Sequence, residues 1–325
     1  MSRTALIVGV SGQDGSLLAE RLLAEGTVVH GTSRDPAANP FENLGRLGIR
    51  DRVRVHGCRP EDSAAVRRLL DAVRPDEVYN LSAQSSVGQS FAAPRETIDS
   101  ILGATVGLLD AIRETGAPIR FCNAGSGECF GETGPEGADE TTPVRPHSPY
   151  AVAKAAAQWT VATYRESYGL FAVTAILFNH ESPLRPERFV TQKIVRGAAR
   201  IAAGETAGPL RLGNLDVTRD WGWAAEHVDA MRLMLRAERP EDLVVATGRA
   251  ATLREFAAAA FAAFGLDWER HVVSTPEHMR PSDIAVSVGR PARARETLGW
   301  VAATRMPELV GRLAEALRPP APAGA

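Results

Sequence analysis

The chain has 325 residues, 44% of them hydrophobic and 23% charged, which is ordinary globular composition with room for one large domain or one and a half. Thirty-seven lysines and arginines face 39 acids, and the two signs are interspersed, so no basic stripe argues for nucleic acid and no acidic tail for a solvating arm. No stretch approaches the roughly 20 apolar residues of a membrane span. Cys58, Cys122 and Cys129 lack the CxxC spacing of a structural zinc and form no even disulfide set, and the amino end lacks the longer apolar region of a signal peptide. The expectation is a soluble cytoplasmic protein without metal.

Apolar β-branched runs alternate with helical patterns from the start. Strands are predicted at Thr4 to Val10, Val28 to Thr32, Val53 to Val55, Glu77 to Leu81, Ile119 to Cys122 and Ala172 to Leu177. Between them fall helices at Ser16 to Glu25, Ser63 to Val73, Ile101 to Glu114 and a long one from about Ser148 to Tyr168. This rhythm is that of βαβ units, so the fold expected is α/β, a Rossmann-type doubly wound parallel sheet, over residues 1–178. After Asn179 the repeat gives way to short segments, prolines and isolated helices at Thr191 to Ala203, Glu226 to Arg236 and Leu253 to Phe264. Residues 179–318 are expected to form a smaller substrate-binding lobe, with short segments returning to the sheet, and residues 319–325 a disordered tail.

Gly9, Gly12, Gln13, Asp14 and Gly15 lie in a GxxGxxG turn between the first strand and the first helix. Glycines there let backbone approach a pyrophosphate, and the helix amino end offers oriented N–H donors. The second strand ends in Ser33-Arg34 where an NAD enzyme would place an acid; Arg34 can clamp a 2′-phosphate, which favours NADP over the reading of Arg34 as a solvated surface residue, although Asp35 beside it would repel that phosphate.

Tyr150 and Lys154 stand four apart in Ser148-Pro149-Tyr150-Ala151-Val152-Ala153-Lys154, on one face of the long helix. A nearby ammonium lowers a phenol's pKa toward the working range of a base. With the glycine turn upstream, this YxxxK spacing marks a short-chain dehydrogenase/reductase, and Ser126 after the fifth strand supplies a hydroxyl beside the tyrosine.

The chain resembles the extended short-chain dehydrogenases, and most closely the GDP-mannose 4,6-dehydratase family, through GVSGQDGSLLAERLL, EVYNLSAQSSVGQSF, SPYAVAKAAAQW, ILFNHESP, FVTQKI and GNLDVTRDWG. The resemblance implies oxidation of a nucleotide sugar at C4, water loss across C5 and C6, and return of the hydride to C6. It implies that Ser126, Glu128, Tyr150 and Lys154 are catalytic, Glu128 being the acid/base that takes the C5 proton and protonates the departing hydroxyl. It also implies that Leu81, Ser85, His180 and Arg185 touch NADP, and that Ser86, Asn179, Val190, Lys193, Arg219, Arg280 and Asp283 hold a nucleotide-diphosphate sugar, GDP-mannose or a relative such as GDP-heptose. A homodimer through the long helix, or a homotetramer, is implied as well.

The departures from the family pattern cluster near the site: Gly127 in the Ser126-Gly127-Glu128 triplet, Cys58 where an acid would meet adenine, and Leu184, Pro186, Arg188 and Gln192 in the substrate loop. The loss of a side chain at residue 127 is expected to loosen the loop. The alternatives are an epimerase or decarboxylase of the same superfamily, or a non-catalytic NADP-binding sensor, which would need no joint Tyr150, Lys154 and Glu128.

Overall fold

The computed structural model describes residues 2–206, 208–279 and 281–318. Glycine-rich turns and capped helices build the βαβ repeat along the chain. β1 (Thr4–Val8) runs into α1 (Gln13–Ala24), whose Leu17, Leu18, Leu22 and Leu23 are all buried, and then into β2 (Val28–Ser33). A short α2 (Glu42–Arg46) precedes β3 (Arg54–Gly57) and α3 (Ser63–Val73), whose N-cap Asp62 accepts from the Ala65 N–H. β4 (Glu77–Asn80) leads to α4 (Val87–Ala92) and α5 (Pro94–Ile98), neither of which the sequence announced, because each is about one turn long and interrupted at Pro94. Asp99–Gly103 continue as a π turn, so α6 starts at Ala104 instead of Ile101 and runs to Thr115. β5 (Arg120–Ala124), α7 (Pro149–Tyr168) and β6 (Ala172–Leu177) follow. α7 is well delimited: the Ser148 hydroxyl accepts from the Ala151 N–H, Pro149 opens the first turn and Gly169 closes it in the left-handed conformation.

Beyond β6 lie β7 (Asn179–Glu181), α8 (Val190–Ala202), β8 (Leu210–Leu212), β9 (Thr218–Trp223) and α9 (Ala224–Met234). β10 (Leu243–Val245), β11 (Ala250–Thr252) and α10 (Leu253–Ala262) come next, then β12 (Val272–Ser274), β13 (Val286–Ser287), α11 (Ala292–Leu298) and α12 (Met306–Glu315). Thr252 and Glu255 form a reciprocal capping box on α10.

The main sheet has seven strands in the order β10-β6-β5-β4-β1-β2-β3, every pairing parallel. The seventh strand, β10, is a three-residue return from the second half of the chain, too short to show a hydrophobic period. One face of the sheet packs Ala5, Ile7 and Val29 with α1 and α9; the other packs Leu6, Val8 and Val78 with α3 and α6. A separate core gathers Ile194, Trp221, Phe256, Phe261 and Leu309 from α8, β9, α10 and α12. Strand order reverses between β1 and β4, and their carboxyl ends open a crevice there.

Among the described residues no helix is long and apolar enough to cross a membrane, and no group of three or more His, Cys, Asp or Glu side chains is placed to hold a metal ion. Residues 319–325, expected to be a disordered tail, lie outside the described residues.

Candidate active site

A cavity of about 690 Å³ opens at the reversal point and extends between the sheet and the second core. Its floor is the turn after β1. Gly9 has φ of +91°, and a Cβ there would stand 2.9 Å from the Ser82 nitrogen. A Cβ on Gly15 would meet the Gly9 carbonyl oxygen at 2.4 Å. The turn is therefore bare backbone, drawn in until only hydrogen fits. The first N–H groups of α1 have no intrahelical acceptor, and its N-cap, Gly12, brings no side chain to satisfy them. Bare backbone plus free donors at a helix amino end fits a dinucleotide diphosphate. Gly15→Ala should weaken dinucleotide binding by at least about tenfold, read by calorimetric titration, because the cradle has no room for the methyl group.

Asp14 would place negative charge in this cradle. Burial opposes its ionisation, but the His180 ring outweighs burial and holds the carboxyl well below the ordinary range. His180 Nε2 lies 3.1 Å from Asp14 Oδ2 and Nδ1 lies 2.6 Å from the Phe178 carbonyl oxygen. Both partners are acceptors, so both ring nitrogens donate and the ring is a cation. Burial alone would lower its pKa; the aspartate raises it. His227 stacks on it at 4.8 Å and is kept neutral by burial and by that neighbouring charge, its pKa pushed down to about 3. Gln13 joins the same seam, donating to the His180 carbonyl and accepting from the Ser182 hydroxyl at 2.8 Å.

The catalytic candidates meet on the opposite wall. β5 ends at Ala124, and Gly127–Phe130 form one 3₁₀ turn capped by Ser126, whose hydroxyl accepts from the Glu128 N–H at 3.3 Å. Cys129 and Phe130 are buried behind this turn, leaving Glu128 as its half-buried, cavity-facing side chain. Tyr150 and Lys154 face the same space from α7. Burial raises the Tyr150 pKa, and the Ser126 hydrogen bond is the largest influence pulling it back. Lys154 donates to the Ala124 carbonyl at 2.6 Å, with its Nζ 5.8 Å from the Tyr150 ring centre. Burial pushes its pKa down to about 8.

All the sequence-predicted site residues line this cavity except two. Arg34 stands exposed past the end of β2 and does not reach it; Arg280 lies outside the described residues. Asp35, expected to oppose a 2′-phosphate, accepts from the Ala37 and Ala38 N–H groups, both at 3.1 Å. Leu81 and Ser85 flank the cradle from beyond β4, and Ser86 caps α4 through the Gln89 N–H. Asn179 opens β7 and Val190 opens α8, where Val190 also packs against the second core. Lys193 donates to the Arg211 carbonyl at 2.7 Å. Arg219 is paired with Asp283 at 2.9 Å and donates to the Ile284 carbonyl at 2.8 Å. Arg185 is fixed by Glu181 at 3.1 Å and lies over the Phe189 ring. Trp221 is core, its indole N–H donating to the Ala251 carbonyl.

The sequence reading missed Asn43 and Glu181. Asn43 Nδ2 bridges the Ser11 and Leu184 carbonyls, tying the glycine turn to the loop after β7. Glu181 is buried, accepts from the Thr191 hydroxyl at 2.7 Å, and so links Arg185 to the start of α8. Asn43 sits in a loop without periodicity; Glu181 lies inside the NHESP stretch, where only its neighbours drew notice. The expected loosening at Gly127 is not found, because a side-chain carbon there would run into the Phe178 ring and the space is already filled.

A doubly wound sheet, a glycine cradle and a Ser–Tyr–Lys set around one cavity define a short-chain dehydrogenase/reductase. The family whose profile matches residues 6–313 is described as GDP-mannose 4,6 dehydratase. The chain belongs to the GDP-mannose 4,6-dehydratase family. It is 43% identical over 308 residues to GDP-mannose 4,6 dehydratase 1 of Arabidopsis thaliana, covering 92% of this chain and 85% of that protein. It is 39% identical over 348 residues to the GDP-mannose 4,6-dehydratase of Vibrio cholerae, covering 96% of this chain and 93% of that one. Among solved structures it is similar to UDP-glucose 4-epimerase of Thermus thermophilus in complex with NAD, with a TM-score of 0.82 at 28% identity over 97% of this chain and 100% of that chain.

Proposed function

We propose that this protein dehydrates GDP-mannose, or a close relative such as GDP-heptose, to the 4-keto-6-deoxy sugar, with NADP as cofactor. The observation that carries the reading is the convergence of Ser126, Glu128, Tyr150 and Lys154 on one cavity that also receives Lys193 and Arg219. When bound, an oxidised nicotinamide would supply the hydride acceptor for C4 and the donor that returns the hydride to C6. Tyr150 takes the proton of the 4-hydroxyl, with Ser126 bonding the phenolate and Lys154 adding charge below it. The 4-keto group acidifies C5–H. Glu128 removes that proton and hands it to the departing 6-hydroxyl, so water leaves and the carboxylate is ready again; once C6 has its hydride, C5 takes a proton from solvent and Tyr150 gives its own up to solvent, which restores the phenolate. The cradle of Gly9, Gly12 and Gly15 would hold the cofactor diphosphate. Lys193 and Arg219 suit the diphosphate of the sugar.

NADP is favoured by Arg34, whose guanidinium suits a 2′-phosphate, while Asp35 beside it weighs the other way. A homodimer is favoured by the outer face of α7, where Val152 is 47% and Trp159 is 62% exposed one heptad apart, with exposed Ile98 nearby on α5. A cytoplasmic setting is favoured by three free, buried cysteines.

Incubation with GDP-mannose and NADP, followed by mass spectrometry, should show a keto sugar lighter by one water and no net reduced cofactor. An isomer of unchanged mass would make the protein an epimerase, loss of carbon dioxide from an acidic sugar a decarboxylase, and binding without turnover a sensor.

A further inference from the structure

We infer that Gly127 is a positioning residue, and that its contact with Phe178 sets the height of Glu128 over the sugar; the inference rests on the dehydratase reading. A Cβ built on Gly127 would lie 2.8–2.9 Å from three atoms of the Phe178 ring, closer than two carbons approach without something moving. The ring has nowhere to go. Its far edge abuts the Gly289 backbone, where a Cβ would lie 2.9 Å from two further ring atoms, and Phe130 stacks 6.2 Å away. The backbone of Phe178 is equally fixed: its N–H donates to the Val245 carbonyl at 3.0 Å and its carbonyl accepts from His180 at 2.6 Å. Any added bulk must therefore lift the 3₁₀ turn, and the residue that turn presents to the cavity is Glu128. Tyr150 and Lys154 stand on α7, outside the turn, and Ser126, the cap of the turn, links it to the phenol. The glycine thus acts more strongly on elimination than on oxidation at C4. The missing side chain opens no extra room for the sugar, since the direction it would take points into the aromatic ring.

The test separates the two half-reactions in Gly127→Ala, Phe178→Leu and the double variant, all loaded with NADP and mixed with GDP-mannose in deuterated water. Reduced cofactor is followed by absorbance in a single turnover, deuterium entry at C5 by mass spectrometry, sugar binding by calorimetry and folding by thermal melting. For Gly127→Ala we expect sugar affinity within about twofold of the parent, formation of reduced cofactor slowed by no more than about tenfold, and elimination slowed about 100-fold, so that reduced cofactor accumulates. The double variant should recover most of the elimination rate, because leucine can yield to the new methyl group. If Gly127→Ala does not fold, Phe178→Leu alone decides: loss of the ring should slow elimination more than oxidation. Equal loss in both half-reactions, or parent-like turnover in both single variants, overturns the inference while leaving the dehydratase reading intact. A parent protein that forms no dehydrated product overturns both.

Discussion

Glu128→Gln is expected to lower dehydration of GDP-mannose about 10³–10⁴-fold while leaving oxidation at C4 in place, so that one equivalent of reduced cofactor appears per site and persists. The magnitude follows from the two proton transfers asked of one group, since a positioned acid or base contributes about 10²–10⁴-fold. Glutamine keeps the shape and removes both capacities. The position is suited to the task because the backbone around it is held on every side. The Glu128 N–H donates to Ser126, its carbonyl accepts from the Gly131 N–H at 3.2 Å, and the next two residues are buried. An acid at the end of a buried strand would be costly without partners; here the chain leaves the strand before the acid arrives and turns it toward the cavity. Stopped-flow absorbance and product mass spectrometry check the prediction together. Product formation within tenfold of the parent would remove Glu128 from the acid/base role.

The sequence carried the sheet well because six of its seven strands are bounded by glycines, prolines or helical patterns, and all of those six but the edge strand β3 are largely buried. It carried α7 best, where Ser148, Pro149 and Gly169 mark both ends chemically. It expected short segments of the second half to return to the sheet but did not locate β10, three residues whose place is decided by pairing with β6, a partner more than 60 positions earlier. Nor did it carry the π turn at Asp99–Gly103, which lies inside a continuous helical pattern and differs only in its hydrogen bonding; that turn seats Ile101 in the cluster that packs Tyr150. At the site, residue types and spacing were enough to gather the cradle, the YxxxK pair and Glu128. What they could not show is where a side chain is spent. Asp220 in the RDWG stretch is wholly buried, accepting from the Thr247 and Gly248 N–H groups, so part of that conspicuous motif anchors a loop and touches no ligand. Gly127 read as slack from its composition and proves to be tight packing, a distinction that depends on Phe178, 51 residues away.

Tyr150→Phe should fail one step earlier, with turnover down at least about 10³-fold and no reduced cofactor formed at all, since no group remains to take the 4-hydroxyl proton. The pH dependence supplies the sharper test. Burial favours the protonated phenol in the protein alone, and burial favours the neutral amine of Lys154, whose pKa falls to about 8. The two groups share one site, so the proton lost on activation belongs to the pair. The active form is the one with the phenolate, hence kcat/KM should rise as pH increases through the apparent pKa of the pair. Lys154→Met removes the cation that favours the phenolate and should carry that rise to higher pH, with a fall of about 10²-fold or more at neutrality. Ser126→Ala removes the hydroxyl that bonds the phenolate and should move the rise the same way by less. Tyr150→Phe should show a low residual rate with no rise at all. A Tyr150→Phe profile that keeps the parent's rise would assign the base to another group; among the described carboxylates lining the cavity, Asp14 is held against His180, Glu181 is occupied by Arg185 and Thr191, and Asp283 is paired with Arg219, so each of these would have to leave a partner to act.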